Sequence, residues 1–145
     1  MSYNYDNPSI GEVYMMNFAG SGSEQHGWRP GLVFQNNVGN RHSPNIIALP
    51  FTTAIKKLGQ PTHVLVAAKD SGLSRDSLVL CENPACMSKV KVGKYITTLS
   101  DDYMRKIVAG YLLSSAAIAY LDVESLLELW KQSISLNKDH SVARA

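Results

Sequence analysis

The chain has 145 residues, enough for one domain, and its 45% hydrophobic and 18% charged residues describe a packed globular protein. Fourteen Lys and Arg against twelve Asp and Glu leave a formal charge of +2, too little to mark the whole chain as a nucleic-acid binder, although a local patch can still be basic. Two cysteines, Cys81 and Cys86, exclude a disulfide-dense scaffold and a four-cysteine zinc site.

In chain order, MSYNYDNPSI has neither the basic start nor the apolar run of a signal peptide, which points to a cytoplasmic protein; residues 1–9 read as a flexible arm. From Ile10 onward, short runs of strand formers alternate with turn residues. Glu12–Phe18, Gly31–Gln35, Ile46–Phe51, Val64–Ala68 and Ser77–Cys81 are the expected strands, and NNVGNRHSPN between the second and third reads as a turn-rich loop. Five such strands without strict alternation predict a small barrel. The last third is helical. Ser100 is placed to cap a helix whose first turn holds Asp101 and Asp102, with Met104, Ile107, Val108, Tyr111 and Leu112 on one face. The uncharged stretch Ile107 to Leu121 has fifteen residues, short of the roughly 20 that span a bilayer, and reads as a buried helix. Asp122 starts a second, amphipathic helix carrying Val123, Leu126, Leu127, Trp130 and Ile134, expected to cover the chain's own barrel, before a frayed tail. Its other reading is an added surface for a partner, anchored by Trp130.

A metal centre is not expected. His26, His42, His63 and His140 are scattered, and Cys81 and Cys86 have no second pair. The loop Gly22-Ser23-Glu24-Gln25-His26-Gly27-Trp28-Arg29-Pro30 is more informative, because it feeds Arg29 directly into an apolar strand behind a backbone stiffened by Pro30. A guanidinium held by rigid scaffold suits a phosphate through its planar fork of donors; a solvated arginine beside a turn is the plainer alternative. Pro50-Phe51-Thr52-Thr53 ends the next strand, where a threonine hydroxyl can reach a phosphoryl oxygen or simply fill a strand.

Taken together, GEVYMMNF, GSEQHGWRPGLVFQNNVGNRHSPNIIALPFTT, PTHVLV, GLSRDSLVLCEN and SDDYMRKIVAGYLLSSAAI resemble the MazF/PemK (Kid) toxins over roughly residues 10 to 119. The resemblance implies a mainly β fold, an SH3-like barrel with C-terminal helices, here with an extra amphipathic helix: an arm at 1–9, a toxin domain at 10–119 and an extension at 120–145. It implies a dimeric, metal-independent endoribonuclease without cofactor, cutting single-stranded RNA at short sequences and restrained by a cognate antitoxin, with which it forms a DNA-binding complex. On that resemblance the catalytic residues fall on Arg29, Thr52 and Glu82, and the RNA-contacting ones on Ser23, Glu24, Gln25, Asn36, Asn37, Lys56 and Asn83. Attack by the RNA 2′-hydroxyl would leave a 2′,3′-cyclic phosphate and a 5′-hydroxyl. Arg29 stays protonated and would stabilise phosphoryl charge; the resemblance makes Glu82 the candidate base, and His26, Arg29 or water could protonate the leaving oxygen. One position departs from the family: Ala85 stands where members commonly carry an arginine, and Arg75 or Lys89 could replace the charge. A catalytically impaired module that still binds RNA or antitoxin is the second reading. A peptide-binding adaptor is the third, for which Tyr14, Trp28 and Phe34 make no obvious groove.

Overall fold

A computed structural model describes residues 8–19, 27–55 and 59–137. Its strands are β1 (Glu12–Phe18), β2 (Gly27–Val33), β3 (Asn45–Thr52), β4 (His63–Val66), β5 (Ser77–Leu80), β6 (Ala85–Ser88) and β7 (Val92–Thr98). Helices α1 (Asn37–His42) and α2 (Ala68–Ser71) interrupt them, and α3 (Asp101–Ser114), a 3₁₀ turn at Ala116–Tyr120 and α4 (Val123–Asn137) close the described chain. The pairing order is β4-β5-β3-β2-β1-β7, with β6 added along the first half of β3 and every pair antiparallel. The expected mainly β architecture with C-terminal helices is present. The sheet is barrel-like but open, since among the described residues no pairing joins β4 to β7.

Two core clusters explain why the strands lack polar alternation. Val13, Leu32, Leu49 and Phe51 pack on one face with β4, β5 and Ile107 of α3. Tyr14, Met16, Phe18, Val33, Ile46 and Ala48 pack on the other with Met87 and Val92. A strand buried on both faces reads as a continuous apolar run, as GLVFQ and IIALPF do.

Four sequence expectations change. The turn-rich loop contains α1, because Asn36 accepts the Gly39 amide at 2.9 Å and Asn40 Nδ2 donates to the Gln35 carbonyl at 2.8 Å. These local bonds offset the poor helix propensity of Asn and Gly. Strands β6 and β7 were not expected; β6 has only four residues and exists by pairing with Asn45 to Ala48 of β3. The stretch from Ile107 to Leu121 is not one buried helix: α3 stops at Ser114, and only Ile107 and Gly110 in it are buried. Nor does α4 cover the barrel. Its neighbour is α1, and Leu126, Leu127, Trp130 and Ile134 are exposed, Trp130 to 61%. The start signals do hold, since Ser100 Oγ accepts the Tyr103 amide at 3.3 Å and Asp122 Oδ1 that of Ser125 at 2.7 Å. No helix among the described residues is long and apolar enough to cross a membrane.

Candidate active site

Strands β2 and β3 pair through Val33↔Ala48, Leu32↔Leu49 and Gly31↔Pro50 and then separate, as β3 turns to β5 through Phe51↔Val79 and Thr52↔Leu78. Continuing the β2–β3 register sets Arg29 opposite Thr52 across the split. Alternation along each strand puts both on the face that buries Val33, Ile46 and Ala48, so the pair is the polar end of an apolar surface. Arg29 Nη1 donates to the Phe51 carbonyl at 3.3 Å and so bridges the split. Thr52 Oγ1 accepts the Ala54 amide at 3.1 Å, which orients the hydroxyl and leaves its proton to donate outward.

A cleft of about 720 Å³ opens at the split, lined by Arg29, Thr52, Thr53, Arg75, Lys94, Trp28 and Tyr95 among others. Among the described residues lining it there are three cations and no Asp, Glu or His. Such a wall holds a positive potential and selects an anion. Arg75 comes from the loop between α2 and β5, where Ser77 Oγ donates to its carbonyl at 3.0 Å. The adjacent Asp76 carboxylate accepts the Ala68 amide at 2.8 Å, anchoring this loop. Lys89, the other candidate replacement, sits on the turn after β6 and lines neither this cleft nor the cavity described next.

Glu82 lies elsewhere. It lines a second cavity of about 350 Å³ with Phe18, Pro50, Asn83, Ala85 and Cys86, and its Oε1 is 2.8 Å from Nε2 of His63 on β4. The two cavities are neighbours: Pro50 lines one and Thr52 the other, and residues two apart on a strand share a face about 7 Å apart. Beneath Glu82, burial pushes the Cys81 thiol up to about 12, helped by the Glu82 charge.

Among the expected RNA contacts, Asn83 lines the second cavity and Asn36 is exposed at the α1 cap. Asn37 is not on the surface. It is 5% exposed, and its Oδ1 accepts the Ile10 amide at 2.9 Å and Asn40 Nδ2 at 3.2 Å, so it ties the start of the chain to α1. Ser23, Glu24, Gln25 and Lys56 lie outside the described residues. His63 stood in the PTHVLV segment, but nothing in the sequence joined its imidazole to Glu82, because only the β4–β5 pairing brings the two together. Trp28 stood inside the signature loop, and what hid it was the neighbour it rests on.

Comparison with known proteins gives this arrangement a context. A family model described as PemK-like, MazF-like toxin of type II toxin-antitoxin system matches residues 9–112. The chain belongs to this family. Endoribonuclease EndoA of Bacillus subtilis (strain 168) is 40% identical over 111 residues, spanning 76% of this chain and 96% of the relative. Among solved structures, an endoribonuclease in complex with its cognate antitoxin from a mycobacterial species is 26% identical with a TM-score of 0.62, over 74% of this chain and 93% of that one. MazF from Deinococcus radiodurans has a TM-score of 0.65 at 23% identity, over 74% and 94% of the two chains, a likeness of fold. Helix α4 begins beyond the residues that match the family.

Proposed function

We propose that the chain is the toxin of a type II toxin–antitoxin pair and acts as a cytoplasmic, homodimeric endoribonuclease on single-stranded RNA, without metal or cofactor, until its cognate antitoxin covers the site. The observation that carries this reading is the Arg29–Thr52 pair at the β2–β3 split, beside a cleft with three cations and no acidic group among its described lining residues. Residues 10–119 form the toxin domain in this reading, and 120–145 an added extension.

The reaction needs charge stabilisation, proton removal and protonation of the leaving oxygen. The RNA 2′-oxygen bonds to phosphorus as the bond to the 5′-oxygen breaks and that oxygen takes up a proton, from His26, Arg29 or water, which gives a cyclic phosphate and a 5′-hydroxyl. Arg29 neutralises the phosphoryl oxygens, and Thr52 adds a directed hydroxyl donor. Glu82 takes the 2′-hydroxyl proton from the neighbouring cavity, with His63 at 2.8 Å to hold its carboxylate. Ser23, Glu24, Gln25, Asn36, Lys56 and Asn83 guide the strand, and Asn37 supports the Asn36 turn from below.

Long single-stranded RNA incubated with the protein in EDTA tests this directly. Cuts at one short motif with cyclic-phosphate and 5′-hydroxyl ends are expected. Binding without cuts, over many sequences and enzyme concentrations, would favour the impaired module, a reading motivated by Ala85 in the second cavity.

A further inference from the structure

Trp28 is out of place for a structural residue. It is 59% exposed in a strand whose neighbours Leu32 and Val33 are fully buried, and it lies along the edge of the cationic cleft next to Arg29. Its indole is nevertheless held. A Cβ placed on Gly93 of β7 would stand 2.9 Å from Trp28 Cζ3 and 3.0 Å from the Met15 carbonyl, so the ring occupies the space that a glycine leaves open. Tyr95, 46% exposed and also lining the cleft, is fixed as well: its hydroxyl is 2.8 Å from Thr98 Oγ1 and its ring meets Tyr14 edge-on at 5.6 Å. Arg75 and Lys94 are exposed in the same wall, and neither has an ion pair among the described residues.

Two anchored aromatic rings between cations match one kind of ligand chemistry, a flat aromatic group joined to an anion. An unpaired nucleotide is that group. We propose that Trp28 is a stacking platform for one unpaired base of the RNA, next to the phosphate held by Arg29, with Tyr95 bounding the same subsite and Arg75 and Lys94 taking the flanking phosphates. The proposal rests on the endoribonuclease reading and adds a specificity determinant to it. A base stacked at a fixed distance from Arg29 sets which phosphate reaches the split. Gly93 is a positioning residue for the ring, since any side chain there displaces the indole.

Trp28 and Trp130 are the two tryptophans of the chain, so Trp130→Phe leaves Trp28 as the sole reporter. The probe is a short single-stranded RNA carrying the mapped cleavage motif, with 2′-O-methyl groups so that it binds uncut, and a terminal dye for anisotropy. Binding should quench Trp28 emission along the anisotropy curve, and an abasic substitution at one position should abolish the quench. Trp28→Ala should weaken binding roughly 5- to 100-fold and raise KM more than it lowers kcat, whereas Trp28→Phe should retain most of the affinity. Gly93→Ala should shift the Trp28 emission before any RNA is added. Full binding by Trp28→Ala, or binding without change in Trp28 emission, would overturn the platform and leave the endoribonuclease reading standing. A Trp28→Ala protein that changes sedimentation but not RNA affinity would show the ring covered by a second copy, which also overturns it. Failure of the unsubstituted chain to bind or cut any RNA would sink both.

Discussion

Arg29 is held at the β2–β3 split by donation to the Phe51 carbonyl, and a guanidinium differs from an ammonium in the two parallel donors it can still offer a phosphate. Arg29→Lys keeps the charge and loses the fork, so cleavage should fall about 100-fold or more while the melting temperature barely moves. Glu82→Gln should cut kcat by roughly 10² to 10⁴, measured on a fixed RNA. A loss confined to stability would deny Glu82 the proposed role of base. The two thiols should also differ: Cys86 is exposed and should react quickly with a thiol reagent, whereas Cys81 is buried and its pKa is raised to about 12. Because the folded state keeps the Cys81 proton, this group favours folding below its ordinary value near 9 and loses that contribution as pH rises from there toward about 12. At this scale distinctive motifs drew attention to Arg29 and Thr52, the two residues that the β2–β3 register sets across the split. The sequence was not legible for Asn37, which the loop composition made look exposed and which the fold buries.

Among the elements, β2 depends on a glycine for a packing reason. A Cβ on Gly31 would stand 2.5 Å from Met16 Sδ and 2.9 Å from Phe18 Cζ, two side chains inside the second core cluster. Gly31→Ala should therefore cost about 1–3 kcal/mol in denaturant unfolding, through overpacking. Asn36→Ala removes the α1 cap, which should cost about 1 kcal/mol and loosen the turn beneath the proposed RNA path. The α4 cap titrates. Hydrogen bonds from the Ser125 amide and hydroxyl hold the Asp122 carboxyl below its usual range, so the cap's contribution is fully present above that range and is lost as pH falls below it. Helix starts were readable because a cap is local chemistry, one side chain and the amide two or three residues on. Strand β6 was not, because ACMS carries no pattern of its own and is ordered by β3.

For the whole molecule, net charge is a poor guide to binding, since the +2 total conceals a cleft lined by Arg29, Arg75 and Lys94. If all three meet phosphates, the logarithm of the RNA affinity should fall against the logarithm of salt with a slope of about −2, and Arg75→Ala should flatten it by about 0.7. A salt-independent affinity would contradict an electrostatic cleft. Helix α4 is peripheral by the same accounting of contacts: it meets α1, leaves Trp130 exposed and lies beyond the residues shared with the family. Ending the chain at Leu121 should shift the melting temperature by no more than a few degrees and leave RNA cleavage intact. The sequence by itself determined the family, the strand-rich body, the helix starts and the Arg29 and Thr52 motifs, because each is written within a few neighbouring residues. Tertiary structure decided the rest. The split that faces Arg29 with Thr52, the His63–Glu82 bond, the arrival of Arg75 in the cleft and the seat of Trp28 on Gly93 all join residues distant along the chain. Such contacts depend on strand register and on where β3 leaves β2, and no local propensity encodes either.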